Sequence, residues 1–233
     1  LSPLKFSRST RSAQIGLPAW QAARLTTTSI TQSLFLLTVL ASGSFDGLNE
    51  TFWWLDKIGI NPLAFPGRSA VVLPSALGMI SANLLLYCLF AICIWLGIKL
   101  AHQSSGTAHT SFSTAFCAMA ISFLPIAVAY HSSHYLVPLL VNQQYLILAL
   151  SDPLANGANS LGLNNYRVTT GFLNTRDSVE RIWLSQAAII IIGHILAVLL
   201  AHNACEKLYN NKRQALLFHI PMAIFVAFYT WFG

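Results

Sequence analysis

The sequence predicts an all-α, polytopic transmembrane helix bundle of about five spans, with its N-terminus in the cytoplasm. Hydrophobic residues make up 55% of its 233 residues and charged residues only 9%, a balance that excludes an ordinary soluble domain. The apolar residues are concentrated in runs, and about 20 such residues are enough to cross about 30 Å of hydrocarbon. Most lysine and arginine residues lie at the edges of these runs, as membrane topology requires.

Five segments are long and apolar enough to be predicted as spans. The first, 27–45, is the weakest because polar residues interrupt its start. The second, 69–100, is long enough to tilt, and the third, 112–141, contains two prolines that predict kinks. The fourth, 182–201, is the clearest, and the fifth, 215–232, is barely long enough.

The basic residues orient the bundle. The 13 lysine and arginine residues divide eight to five between the two sides, and cytoplasmic flanks collect positive charge. This places segment 1–26 in the cytoplasm or at its interface, and the remainder, 27–233, forms the bundle with outer loops 46–68 and 142–181. Within the first outer loop, an aromatic cluster is predicted to lie on the membrane surface: Phe52, Trp53 and Trp54.

The chain begins with Leu1 and shows no signal-peptide pattern, so we expect a processed product or a fragment of a longer protein. The expected partners are the lipid bilayer and either other membrane subunits or a missing N-terminal half. Nucleic acid is not expected, because the basic residues form no stripe with interleaved aromatics. The four cysteines form no C-x-x-C pair and are interpreted as small buried side chains.

Histidines inside the predicted spans are the main candidates for function, because ionisable groups in a bilayer are costly. His131 and His134, in the segment AYHSSHY, are three residues apart and share a helix face. Counting along the helices places them roughly 15 Å and 10 Å below the outer surface, and His194 roughly 18 Å below it. Nearer the cytoplasmic end, His202 and His219 either form a second pair or extend to the interface.

A transition-metal site is one hypothesis for the outer histidines, since neutral imidazole is a common metal ligand. It would hold Zn, Cu or Fe through His131, His134 and His194, with Asp46 or Asp152 as an oxygen ligand.

Two other interpretations use the same histidines. One is haem b held between His131 or His134 and His194, with Gly193 relieving crowding beside the ring. The other is structural, with each imidazole hydrogen-bonded to a neighbouring helix. Candidate partners for that structural role are Asn83, Gln186 and Tyr130.

From Ser44 onward the chain resembles a family of bacterial membrane proteins named fenitrothion hydrolase. The motifs are SFDGL (44–48), TFWW (51–54), NPLAFPGRS (61–69), LPIAVAYH (124–131), HY (134–135), GH (193–194) and AH (201–202). The resemblance implies the C-terminal half of a longer protein in the bacterial inner membrane, linked to organophosphorus ester hydrolysis within a multi-subunit complex. It also implies a metal site that activates water, formed by Asp46, His131, His134 and His194.

We therefore predict an integral membrane enzyme, or enzyme subunit, with a histidine-based metal site and hydrolase-like chemistry. The first alternative is a haem b-binding electron-transfer subunit of a membrane oxidoreductase complex. The second is a structural or assembly subunit of a larger membrane complex. Enzyme classes that depend on a Gly-rich phosphate loop, HExxH or GxSxG are excluded, because the sequence contains none of these motifs.

Overall fold

The structure is a computed structural model, and it describes residues 4–7, 12–15, 28–64, 67–105, 110–163 and 166–232. The fold class is all-α, as predicted. The helices are α1 (Ile30–Asn49), α2 (Phe52–Lys57), α3 (Arg68–Ser105), α4 (Phe112–Ala120), α5 (Leu124–His134), α6 (Leu136–Ser151), α7 (Arg176–Leu208) and α8 (Lys212–Phe232). Short 3-10 helices cover Pro62–Ala64, Ile121–Phe123 and Gly171–Asn174.

Two short strands precede the bundle. β1 (Leu4–Ser7) pairs with β2 (Ser12–Ile15) in antiparallel register. The rest of the predicted segment 1–26 lies outside the described residues.

Four helices among the described residues are long and apolar enough to cross a membrane, which confirms a polytopic membrane bundle. They are Ser69–Ser104, Phe112–His134, Arg176–Leu208 and Lys212–Thr230, and they correspond to the second to fifth predicted spans.

The first predicted span, 27–45, forms a helix, α1, that is less apolar than these four because polar residues lie near both of its ends. A capping box starts it: the Ser29 hydroxyl accepts from the Gln32 N–H, and the Gln32 side chain accepts from the Ser29 N–H. One face of α1 packs against α3, α4 and α5. The apolar residues buried on it are Leu36, Leu37, Leu40, Ala41 and Phe45.

An aromatic cluster joins α3, α4 and the 3-10 turn after α4 in the centre of the core. Phe90 is fully buried, and its ring makes edge contacts with Phe116 and Phe123 at centroid distances of 4.9 Å and 5.3 Å. Such edge-to-face pairs add to the energy of apolar burial. This cluster fixes the start of the third span against α3.

The third predicted span is divided into separate helices next to both prolines, where kinks were predicted. Pro125 lies in the first turn of α5, directly after the 3-10 turn. α5 ends at His134, and Tyr135 separates it from α6. Pro138 has no N–H and so cannot donate to the His134 carbonyl, which interrupts the helical ladder there.

Helices extend into both ends of the predicted outer loop 142–181. α6 continues to Ser151, and α7 begins at Arg176, so the loop is shorter than predicted. Both histidines of AYHSSHY lie in the last turn of α5, and the chain continues after Tyr135 as α6, so their depths of roughly 10 to 15 Å below the outer surface stay predictions.

The aromatic cluster of the first outer loop divides into two environments. Phe52 and Trp53 are exposed on α2, whereas Trp54 turns inward. Its ring makes an edge contact with Phe45 at 5.1 Å, above Gly78 of α3. Trp54 therefore closes the bundle at the end where α1 and α5 finish and α3 and α7 begin, which we call the Asp46 end.

Candidate functional site

A carboxylate and a histidine meet at the Asp46 end. Asp46 lies in the last turn of α1, and His134 is the last residue of α5. His134 Nε2 is 3.1 Å from Asp46 Oδ2, with the two side chains 22% and 40% exposed. When Nε2–H donates to the carboxylate, Nδ1 of the neutral ring keeps its lone pair. The pair is therefore an oriented imidazole base that water can reach.

Tyr135 is a third member of this group, and sequence reasoning missed it. Its hydroxyl donates to Asp46 Oδ2 at 3.3 Å, and its ring makes an edge contact with His134 at 4.8 Å. The negative charge of Asp46 is the main cause that raises the pKa of the Tyr135 phenol, with smaller contributions from desolvation, the hydrogen bond to Asp46 and the charge of Glu50. Tyr135 therefore remains a protonated donor near neutral pH. The only sequence signal was its position beside His134.

His131 lies on the same side of α5 but is held differently. Its Nδ1–H donates to the Ala127 carbonyl at 3.1 Å, one turn earlier in its own helix. Its ring packs against Gly43 of α1, where a Cβ atom would lie 2.6 Å from His131 Cε1. Both AYHSSHY histidines thus face α1, which confirms the predicted shared face.

His194 is a buried core histidine at the contact between α5 and α7. It is 5% exposed, and its Nδ1–H donates to the Ile190 carbonyl at 2.8 Å. Its ring makes an edge contact with Tyr130 at 6.1 Å. Within the described part of the chain, its buried Nε2 has no hydrogen-bond partner.

The four predicted metal ligands do not come together. Only Asp46 and His134 are in contact, whereas His131 faces α1 and His194 faces Tyr130 across the α5–α7 contact. Among the residues that the structure describes, no group of three or more His, Cys, Asp or Glu side chains is placed to hold a metal ion. The alternative oxygen ligand, Asp152, instead accepts from the N–H groups of its own loop at positions 156 and 157.

Haem b does not fit between α5 and α7. The two helices touch beside His194, since a Cβ atom on Gly193 would overlap the Ala129 side chain and lie 2.9 Å from the Pro125 carbonyl oxygen. Gly193 was predicted to make room for a haem ring, but the space is filled by α5. A macrocycle would have to separate two helices that are in backbone contact.

Two of the three proposed structural partners, Gln186 and Asn83, bind backbone carbonyls instead of a histidine. The Gln186 amide donates to the Ser133 carbonyl at 2.9 Å and links α7 to α5. The Asn83 amide donates to the Met79 carbonyl within α3. Tyr130 does contact His194, through its ring edge.

A second histidine pair lies at the opposite end of the bundle. The rings of His202 and His219 are 5.9 Å apart, and His202 Nε2 is 3.6 Å from Glu206 Oε1. His219 is buried, whereas the side chain of His202 is 54% exposed. The structure therefore forms the pair that the sequence left as one of two alternatives.

These features define an all-α integral membrane protein whose described residues place a carboxylate–histidine pair at each end of the bundle, with the shorter contact, 3.1 Å, between Asp46 and His134. The chain matches no known family model, and no curated protein or solved structure is detectably similar to it. Its function is therefore argued from the site alone.

Proposed function

We propose that this chain is an integral membrane enzyme, or a subunit of one, in which His134 acts as a general base. The observation that carries the proposal is the 3.1 Å contact between His134 Nε2 and Asp46 Oδ2. Asp46 selects the tautomer whose Nδ1 is basic, and Nδ1 takes a proton from water or from a substrate hydroxyl. The Tyr135 hydroxyl gives Asp46 a second hydrogen bond and holds the carboxylate toward the ring.

The chemistry that suits this pair is the hydrolysis of a neutral ester. The charges of Asp46 and Glu50 disfavour the phenolate of Tyr135, so the local potential beside this phenol is negative and disfavours an anionic substrate there. Three earlier predictions agree with this proposal and remain predictions. They are the resemblance to fenitrothion hydrolase, the location in the bacterial inner membrane and the cytoplasmic N-terminus. A general-base mechanism needs only Asp46 and His134, which are in contact. The predicted metal site also needs His131 and His194, which lie apart from this pair.

The test is ester hydrolysis by the full chain in lipid nanodiscs, with a para-nitrophenyl phosphotriester and a para-nitrophenyl carboxylic ester. We expect His134→Gln to reduce the rate by roughly 100-fold or more, and Asp46→Asn to reduce it less. His202→Gln is the matched control, because His202 also contacts a carboxylate, but at the opposite end. Wild-type rates in the His134→Gln variant, or no turnover by the folded wild type, would overturn the proposal.

Metal analysis and an absorption spectrum of the same preparations separate the earlier hypotheses. If the wild type contains stoichiometric Zn, Cu or Fe and the His134→Gln variant loses it, the result would support a metal site and contradict the general-base mechanism. A Soret band would replace it with haem binding and would also contradict the close contact of α5 and α7.

A second candidate function, a subunit of a larger membrane assembly, is favoured by α6. This helix has 16 residues, about 24 Å, and is too short to span a bilayer. Its only described buried residues are Gln144 and Ser151, and four large side chains on it are more than half exposed: Leu139, Tyr145, Leu146 and Leu150. Native mass spectrometry of complexes extracted in mild detergent tests this function, because Leu146→Arg should release a bound partner.

A further inference from the structure

A cavity of about 370 Å³ lies between the last turn of α5, the first half of α7 and the end of α8. Three polar side chains, one from each helix, line it: Ser133, Gln186 and Thr230. The remaining described wall belongs to α7 and is mainly apolar. The volume falls within the range of about 300–1,000 Å³ that is usual for small-molecule sites, so the cavity can hold a ligand.

Ser133 is the polar residue of this wall whose hydroxyl the fold leaves unpaired. The residue is 6% exposed, and within the part of the chain that the structure describes its Oγ makes no hydrogen bond. Other helical hydroxyls, such as those of Ser185 and Thr230, donate to the carbonyl four residues earlier. A buried hydroxyl without a partner is costly, so a ligand atom that accepts from Ser133 would be favoured.

The other two polar side chains present acceptors. The Gln186 amide donates to the Ser133 carbonyl at 2.9 Å, which fixes the amide group and leaves its Oε1 available to accept. The Thr230 hydroxyl uses its single proton on the Val226 carbonyl, so its oxygen can only accept from a ligand. A ligand that matches this wall must therefore both donate and accept, as a diol does. None of the described lining residues is charged, which disfavours an ionic group.

The position of the cavity along α7 indicates an amphiphilic ligand. Four charged residues in the first two turns of α7 mark the membrane surface: Arg176, Asp177, Glu180 and Arg181. Trp183, which lines the cavity, follows them and is 64% exposed, as is typical of the interface. Ile190 and Ile191 lie about 6–8 Å further into the span than Gln186, and Ile191 is exposed toward the lipid. The polar wall thus lies nearer the surface and the apolar wall nearer the bilayer centre.

We propose that this cavity binds a neutral single-chain lipid with a glycerol head, a monoacylglycerol. Its head oxygens accept from Ser133, its hydroxyls donate to Gln186 and Thr230, and its acyl chain runs along Ile190 and Ile191 toward the bilayer centre. The inference does not rest on the proposed hydrolase function, because Asp46, His134 and Tyr135 do not line the cavity.

Photolabelling of the full chain in lipid nanodiscs tests the inference. The probe is a monoacylglycerol with a diazirine in its acyl chain, compared with its dimethyl ether and with a lysophosphatidylcholine of the same chain. We expect the monoacylglycerol to label the α7 peptide around Ile190 and Ile191. The dimethyl ether should label it roughly fivefold less or weaker, because at least one neutral hydrogen bond is lost. The charged lysophosphatidylcholine should also label it less.

Variants of the polar wall test the role of Ser133. Ser133→Ala should reduce labelling by the monoacylglycerol roughly fivefold and leave labelling by the dimethyl ether nearly unchanged. Ser132→Ala is the matched control, because Ser132 is exposed and does not line the cavity. Unchanged monoacylglycerol labelling in Ser133→Ala would overturn the inference.

A second pair of variants tests the cavity itself. Ala187→Phe should fill it and abolish specific labelling, whereas Ala188→Phe should not, because Ala188 is exposed and does not line it. Thermal unfolding shows whether both variants fold. Labelling that persists in folded Ala187→Phe would overturn the inference. Equal labelling of the wild type by all three probes would also overturn it, since the cavity would then hold any acyl chain.

Discussion

Gly43 of α1 faces the imidazole of His131 on α5 so closely that a Cβ atom at position 43 would lie 2.6 Å from His131 Cε1. The ring cannot move away without straining its hydrogen bond to the Ala127 carbonyl. The packing of α1 on α5 beside the candidate site thus depends on a residue without a side chain.

Gly43→Ala should therefore destabilise the bundle, by about 1 kcal/mol or more, as expected for overpacking. Thermal unfolding in detergent measures the change. Gly47→Ala is the matched control in the same helix, because a Cβ atom there meets nothing within 4 Å and alanine is the better helix former. Adding His131→Ala to Gly43→Ala should recover part of the loss, and a purely additive double variant would contradict the proposed contact.

Gly193→Ala should cost more than Gly43→Ala, about 2–3 kcal/mol. The added methyl group would meet the Ala129 side chain and the Pro125 carbonyl, and a backbone carbonyl yields less easily than a side chain. Thermal unfolding measures the difference. Ala129→Gly should rescue the variant only in part, since the Pro125 oxygen remains. A fully stable Gly193→Ala protein would show that α5 and α7 are not in backbone contact.

The Asp46–His134 pair should contribute little to stability. Both side chains are partly exposed, 22% and 40%, and pairs of this kind contribute about 0–1 kcal/mol. His134→Gln should therefore change the melting temperature only slightly while reducing ester hydrolysis strongly. If unfolding measurements showed a large destabilisation instead, the pair would be a structural connection between α1 and α5.

Asp46→Asn should lower the pKa of Tyr135 toward its ordinary value. The carboxylate charge is the main cause that disfavours the phenolate, so removing it lets the phenol ionise at a lower pH, although the smaller effect of Glu50 remains. Ultraviolet titration near the phenolate absorbance, with Tyr135→Phe subtracted in each background, isolates this residue. Asp152→Asn should leave the titration unchanged, because Asp152 binds the backbone of its own loop.

Gln144 should be the residue that holds α6 to the rest of the protein. Its side-chain amide accepts from the Thr169 N–H and donates to the Thr169 carbonyl, both at 3.0 Å. Gln144→Leu should leave both backbone groups without this partner and make the loop 152–175 more sensitive to limited proteolysis. Gln143→Leu is the control, because Gln143 is exposed. Equal cleavage rates in the two variants would contradict this role.

The helices of the bundle were predictable because bilayer thickness fixes the length of an apolar run, and the helix is interrupted next to both prolines where kinks were predicted. The continuation of α6 through Asn142, Gln143 and Gln144 was not, since three polar residues in a row indicated the membrane surface. The sequence does not show that Gln144 finds its partner 25 residues later, in Thr169.

The candidate site was predictable only where neighbours in sequence are also neighbours in space. The three-residue spacing of His131 and His134 fixed their common face. The direction of His194 depends on how α7 is rotated against α5, which the Gly193–Ala129 contact decides. The hydrogen bond between Tyr229 and Ser44 was not predictable for the same reason, because it joins residues 185 positions apart in the sequence.

The interruption at Pro138 has a mechanical consequence for the whole protein. Because Pro138 cannot donate to the His134 carbonyl, the connection between α5 and α6 at Tyr135 should bend more easily than a continuous helix. A force applied to α6 by membrane motion or by an attached chain is absorbed at this joint. The rest of α5, which follows the buried core around Phe123, should therefore be displaced less than α6 by such a force.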